Sequence, residues 1–375
     1  MQSTFAQELQ ETVDLARWAP SSHNSQPWTL IHIQERERAS ALLGEALQEG
    51  EQCVVLALNS ARKLKALESL EIEMLMSCGL FLGLFCMTLG VRGHDWRLRW
   101  FCEAEKSAPI AALEQEQGCL ALTAVRITPN SVKPVADAEA WRRLALHRRT
   151  HRGPFNPLRI SDETLQQLLA RRWPLSLTGE HLLMRIERDQ PAIRRAAQLV
   201  KQYAVLDFAN YKAWRETYRY IHFSLEEEAE DGFYLQSLLG PQSKWSSLFY
   251  RCVLAPPVMQ ALRPFGAPQR MADQLGALVE DSSQLLFCHL GEEHMTPKAL
   301  TQAGARLMEV WLNAQEQKLA IHPVSVMLQH DQARIAIERL RDENGRMIFF
   351  ARLGAIKEVF DKSPRRKTNG IIAAG

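Results

Sequence analysis

Sixteen consecutive residues without a charge, Met74–Leu89 (MLMSCGLFLGLFCMTL), constrain this chain more than any other feature. As a helix the run is about 24 Å long at 1.5 Å per residue, short of the ~30 Å hydrocarbon layer of a bilayer. Gly79 and Gly83 set two small residues one turn apart, a spacing that lets another helix approach closely. The run therefore predicts a core helix rather than a membrane span. A helix that is apolar all round needs apolar partners on every side, and a chain of 375 residues is long enough to supply them.

The rest of the pattern surrounds that helix with alternating elements. Phe5, Leu9, Val13 and Ala16 keep helical spacing through Gln2–Trp18, and Pro20–Pro27 (PSSHNSQP) is loop chemistry. Trp28–Ile33, Trp96–Phe101 and Cys119–Ile127 read as strands, and Cys53–Leu58 as a strand or a helix. After a connection at 131–140 the order partly repeats. A helix opens at Ser161 or Asp162, Leu182–Ile186 is a possible strand, and 190–262 is helical and rich in aromatics. Ser282–Leu290 and Arg346–Leu353 read as strands on either side of an amphipathic helix, Ala299–Gln317, with Leu307, Val310, Trp311 and Ala314 inward. The expected class is α+β, in two halves of related build.

Charge and cysteine usage exclude several functions. Forty-five Lys and Arg stand against 43 Asp and Glu, a net charge of +2, too balanced for a dedicated nucleic-acid binder. The seven cysteines are widely spaced and form no CxxC pair, so neither a zinc site nor a disulfide framework is expected. The first residues, MQSTFAQELQE, have no secretory pattern, and a reducing cytoplasm is the expected compartment. No partner membrane or nucleic acid is expected.

Three clusters ask for an anion. Ala19–Trp28 (APSSHNSQPW) sets Ser21, Ser22, Asn24 and Gln26 on a backbone stiffened by two prolines. His147–Arg152 (HRRTHR) carries forked donors suited to a phosphate. Ser363–Lys367 (SPRRK) is a basic tail. No GxGxxG follows a strand and no GxxxxGK[ST] occurs, which argues against a Rossmann or P-loop site. No Ser-His-Asp or paired-carboxylate constellation is present, so no side-chain catalytic acid or base and no metal is expected.

The stretch Ala16–Trp28 (ARWAPSSHNSQPW) resembles the flavin-contacting segment of the nitroreductase family, and Arg148–Leu169 (RRTHRGPFNPLRISDETLQQLL) resembles that family's phosphate-binding N-terminus. Ser77-Cys78-Gly79 and Pro364-Arg365-Arg366 look like its Acg-like branch, whose single chain contains two nitroreductase-like halves. The resemblance implies a duplicated fold acting as an internal pseudo-dimer: a first half at 1–140, a second at 141–375, and a helical, aromatic-rich lid at 190–262. It implies FMN as cofactor and NAD(P)H as transient electron donor. By residue-by-residue carry-over, Arg148, Arg149, Thr150, Arg152, Arg365 and Arg366 would hold the phosphate, and Ser21, Ser22, Asn24 and Gln26 would meet the polyol and ring. Pro323, Val324 and Ser325 would approach the flavin N5 edge, although the residues there differ from the family's common pattern.

The two halves are unequal. Gln2–Gln10 carries no arginine, and where the second half should repeat the loop it reads Arg171–Leu177 (RRWPLSL). One complete FMN site per chain is therefore expected, in a monomer, with a small-molecule acceptor. Two alternatives stay open: an FMN-sequestering protein with a closed lid, and a flavin oxidase or dehydrogenase that uses dioxygen.

Overall fold

The computed structural model describes residues 4–101, 106–157, 159–174, 177, 179, 181–340, 345–357 and 362–375. Cys102, Leu158, Leu175 and Ser176, which figure in the expectations above, lie outside the described residues. The first part of the chain runs α1 (Phe5–Ala16), β1 (Trp28–Ile33), α2 (Arg36–Leu43), β2 (Gln52–Asn59), α3 (Leu70–Val91), β3 (Asp95–Trp100), α4 (Ala108–Gln117) and β4 (Cys119–Thr128). Next come α5 (Ala138–His147), β5 (Phe155–Asn156), α6 (Asp162–Ala170), β6 (Leu182–Glu187), α7 (Gln190–Phe208), α8 (Tyr211–Tyr218), β7 (Ile221–His222) and β8 (Phe233–Tyr234). The chain continues through α9 (Gln236–Leu239), α10 (Lys244–Val253), α11 (Pro256–Leu262), α12 (Ala267–Glu280) and β9 (Gln284–Leu290). It closes with α13 (Pro297–Glu316), β10 (Leu319–Pro323), α14 (Asp331–Glu338), β11 (Arg346–Ile356) and β12 (Ile372–Ala374).

The uncharged run forms α3, buried along nearly its whole length. Glu71 and Glu73 in its first turn favour the positive end of the helix dipole. Against it lies α13, and the two backbones touch. A Cβ at Gly79 would sit 1.9 Å from the Thr301 carbonyl oxygen, and one at Gly304 would sit 2.1 Å from that of Met76. Only glycine permits this approach. The pair is flanked by two sheets, with strand order β12-β1-β2-β4-β3 on one side and β10-β11-β9-β6 on the other, β5 pairing with β11. One continuous core joins α3, α13 and the inner faces of both sheets through Trp28, Leu56, Phe81, Leu307, Trp311 and Leu286.

The outer faces are covered differently. In the first sheet Ile31, Val55 and Ala124 pack under α2 and α4. In the second, Leu285, Phe287 and Phe350 pack under α7, α12 and α14. Only the remainder of 190–262, from α8 onward, forms a separate small bundle, around Trp214, Phe223, Phe233, Leu235 and Met259.

Two sequence expectations needed tertiary correction. Leu307, Val310, Trp311 and Ala314 of α13 are buried as expected, but so are Arg306, Glu309 and Asn313, because α13 is enclosed rather than amphipathic. The basic tail is ordered into the sheet: β12 runs parallel to β1, pairing Leu30 with Ile372 and His32 with Ala374. The last strand of the chain thereby completes the first sheet.

Candidate functional site

The proline-bounded loop that follows α1 is bent sharply. His23, Asn24 and Gln26 have φ of 49°, 53° and 49°, a left-handed conformation that non-glycine residues seldom adopt and that clusters at functional sites. Ser22–Asn24 forms a single 3₁₀ turn, and the Gln26 amide donates to Ser21 Oγ at 3.0 Å. Ser22 Oγ donates to Glu73 Oε2 at 2.5 Å, and its amide donates to Ser77 Oγ at 3.2 Å, fastening the turn to α3.

The second part of the chain also reaches this loop. Asn24 Nδ2 donates to the carbonyls of Gly232 and Pro364, each at 2.8 Å, while Gln26 Nε2 donates to the Glu230 carbonyl at 2.8 Å. Arg62 pairs with Asp231 and donates to the Ser25 carbonyl. The acidic run 226–231, which sequence reads as a solvated turn, is therefore a clasp over the loop at its last residues.

Beside the loop lies a cavity of about 190 Å³. One wall is Trp18, Pro20, Ser21 and Asn24; the other is Arg148, Arg149, Thr150 and Arg152, and Lys362 and Arg365 close it. The arginines arrive there because α5 ends at His147 and the chain leaves the helix at Arg148, with ψ of 130°. Thr150 then bridges to Ile321 of β10.

No carboxylate is among the described lining residues. Arg148 is 3% exposed, donates from Nη2 to the Trp18 carbonyl at 2.8 Å, and leaves Nε and Nη1 buried without a partner. Burial, then the neighbouring Arg365, Arg149 and Arg152, holds its guanidinium well below the usual arginine range. Burial likewise pushes Arg365 down to about 9 and Arg152 down to about 10. A guanidinium does not readily release its proton, so these cations stand together with no carboxylate among the described lining residues. The Trp18 ring offers partial relief, with Arg365 at 5.2 Å and Lys362 at 4.9 Å from its centroid.

The sequence-predicted residues divide into two groups. Ser21, Asn24, Arg148, Arg149, Thr150, Arg152 and Arg365 line the cavity. Ser22, Gln26, Arg366, Pro323, Val324 and Ser325 do not. Arg366 Nη1 donates to the Gln26 and Trp28 carbonyls at 3.2 and 2.9 Å, and its amide donates to Gln26 Oε1, so it ties the tail to the loop. Pro323 ends β10, the buried Val324 donates its amide to the Phe350 carbonyl at 2.8 Å, and Ser325 opens a 3₁₀ turn. Sequence reading missed Trp18 as a cation platform, although it stands inside the quoted motif. It also missed Glu73, whose carboxyl burial raises and which Ser22 and Gln329 hold by hydrogen bonds. Cys78, whose thiol burial pushes up, packs within α3.

The chain is similar to several known proteins. The nitroreductase family profile matches residues 4–94. A probable NAD(P)H nitroreductase, PigM of Serratia sp. (strain ATCC 39006), is 32% identical over 371 residues, covering 98% of this chain and 94% of the relative. Among solved structures, a putative nitroreductase from Anabaena variabilis aligns with 91% of this chain and 82% of its own at 11% identity and a TM-score of 0.42. The FMN-dependent nitroreductase NfnB from Mycobacterium smegmatis, in complex with NADPH, aligns with 62% of this chain and 92% of its own at 14% identity and a TM-score of 0.37. On the near full-length match to its Serratia relative, this chain belongs to the nitroreductase family.

Proposed function

We propose that the chain is an FMN-dependent oxidoreductase that takes electrons from NAD(P)H and delivers them to a small organic acceptor, with one FMN held between its two halves. The observation that carries this reading is Arg148: two buried, unpartnered nitrogens beside a cavity with no carboxylate among its described lining residues. Burying cations without counter-charge costs several kcal/mol per ion, and a phosphate supplies the missing acceptors. Arg148, Arg149, Thr150, Arg152 and Arg365 would hold that phosphate, and Ser21 and Asn24 would close the opposite wall. Asn24 keeps a buried, unpartnered Oδ1 for a ligand donor. The description of the Serratia relative as an NAD(P)H nitroreductase supports the same electron donor.

Bound FMN would supply the two-electron transfer itself. The residues of this chain bind, orient and neutralise charge, and no side-chain acid or base is assigned. Gln26 and Arg366 keep the loop in register with the tail, and the Pro323–Ser325 backbone is proposed to stand at the ring end. The segments 1–140 and 141–375 would do the work of two subunits in a monomer. The cavity is smaller than the ~300–1,000 Å³ of pockets that enclose a whole drug-sized ligand, so a complete mononucleotide would need its walls to move apart.

Purified protein is expected to carry the visible flavin bands, and anaerobic NAD(P)H is expected to bleach them. A colourless protein that takes up no added FMN overturns the reading. The closed clasp favours a second reading, in which the chain holds FMN without turnover. That reading gains if bound flavin is reduced by dithionite but never by NADH or NADPH.

A further inference from the structure

The lid bundle ends on a face that the proposed redox site does not use. No residue of α10 is buried. Trp245, Leu248, Phe249 and Cys252 fall at i, i+3, i+4 and i+7, one stripe along the helix, and all four are exposed: Trp245 to 82%, Phe249 to 61% and Leu248 to 52%. Phe265, after α11, is exposed to 73%, and Leu238 and Leu239 of α9 are exposed as well. Soluble monomers seldom leave an apolar stripe like that of α10 exposed without a use.

Charge on the same segment is one-sided. From Gly232 to Ala272 the sequence contains Lys244, Arg251, Arg263 and Arg270 and no aspartate or glutamate, in a chain whose overall balance is nearly neutral. All four cations are exposed. The acidic side chain paired with this face is Glu226, outside the segment, at 3.9 Å from Lys244. Elsewhere in the acidic turn, Asp231 pairs with Arg62 and Glu227 with His222.

We propose that this face of α10 docks on an anionic lipid bilayer surface. Aromatic and aliphatic side chains standing proud of a helix, flanked by lysine and arginine, match the headgroup boundary of such a membrane. The acyl boundary accepts projecting side chains without the complementary groove that a folded partner must offer. A second copy of the chain would set cations against cations. The face is separate from the arginine cavity, so the inference stands without the proposed flavin chemistry.

Sedimentation of the full chain with vesicles tests it. The protein is expected to bind vesicles of equal parts phosphatidylglycerol and phosphatidylcholine, and to bind pure phosphatidylcholine much more weakly. Trp245→Ala with Phe249→Ala should reduce partitioning about tenfold or more. Arg251→Ala and Arg263→Ala should each reduce it about fivefold, an effect that fades as salt is added. These side chains are exposed, so the variants should melt with the parent protein, and the blue shift of tryptophan emission on vesicles should be lost in Trp245→Phe. Absence of binding to the anionic vesicles overturns the proposal. So does concentration-dependent self-association in light scattering that the double variant abolishes, which would assign the face to a second copy.

Discussion

Two arginine clusters, one around Arg148 and one at 171–174, use the same residue type in opposite ways. Around Arg148 the described cavity walls contain cations and no carboxylate, and the guanidinium keeps two idle nitrogens. At 171–174, where the second half could have repeated the proline-bounded loop, every comparable charge is answered from α13. Arg172 Nε donates to Glu309 at 2.9 Å, Arg306 pairs with the same carboxylate at 3.1 Å, and Arg171 pairs with Glu316. The Trp173 indole donates to Asn313 Oδ1 at 2.9 Å. A cluster satisfied by the protein's own carboxylates has no need of a ligand; the idle Arg148 nitrogens lack any such answer. The same fold has one polar junction made structural and one proposed to receive a ligand.

Four changes would break or sharpen this contrast. Glu309→Ala should have the largest effect, because it strands the buried Arg306 without its carboxylate. A loss of about 3–5 kcal/mol is expected in denaturant unfolding, with flavin content unchanged in whatever protein stays folded. Next is Arg148→Ala, which should leave the melting temperature of the flavin-free protein equal or higher, since it removes like-charge repulsion. Its cost should fall on the cofactor instead, at about 1.5–3 kcal/mol for each charge-assisted bond lost, measured by flavin titration. If flavin affinity were unchanged, the two clusters would not differ in function.

Asn24→Ala should be milder. It removes bonds to Gly232 and Pro364 at the junction of loop, clasp and tail, so about 1–3 kcal/mol of stability should be lost, with faster flavin exchange in stopped-flow fluorescence. The smallest effect belongs to Glu73→Gln. Burial raises the Glu73 carboxyl above its ordinary value of 4.5, so the folded chain keeps this proton longer than the unfolded chain does. The stability it contributes is present below that ordinary value and is lost as pH rises through the folded value. The parent should therefore lose more stability than Glu73→Gln as pH rises above 4.5, as read by melting at successive pH values.

Much of the local structure was legible because it depends on neighbours in sequence. The uncharged run read as a core helix rather than a membrane span, and it forms a buried helix. Trp28–Ile33 alternated and became a strand with those bounds, and Ser161 could be read as a cap and accepts from the Thr164 amide. Elements that escaped notice, such as α2 and β12, have weak periodicity or are short, and take their form from the sheet they cover or extend.

The same distinction governs the site. Its residue types were readable in the chain: serine and asparagine between two prolines, an arginine run after a helix, a second run near the end, and no arginine at Gln2–Gln10 to match. Which of these residues remain available for a ligand was decided in three dimensions. Gln26 and Arg366 look like ligands in sequence but hold each other, while Trp18 looks like packing and becomes a platform for cations. A side chain's capacity to donate or accept is intrinsic to its type. Whether that capacity is already satisfied depends on partners brought together from hundreds of residues away, and that only the folded arrangement determines.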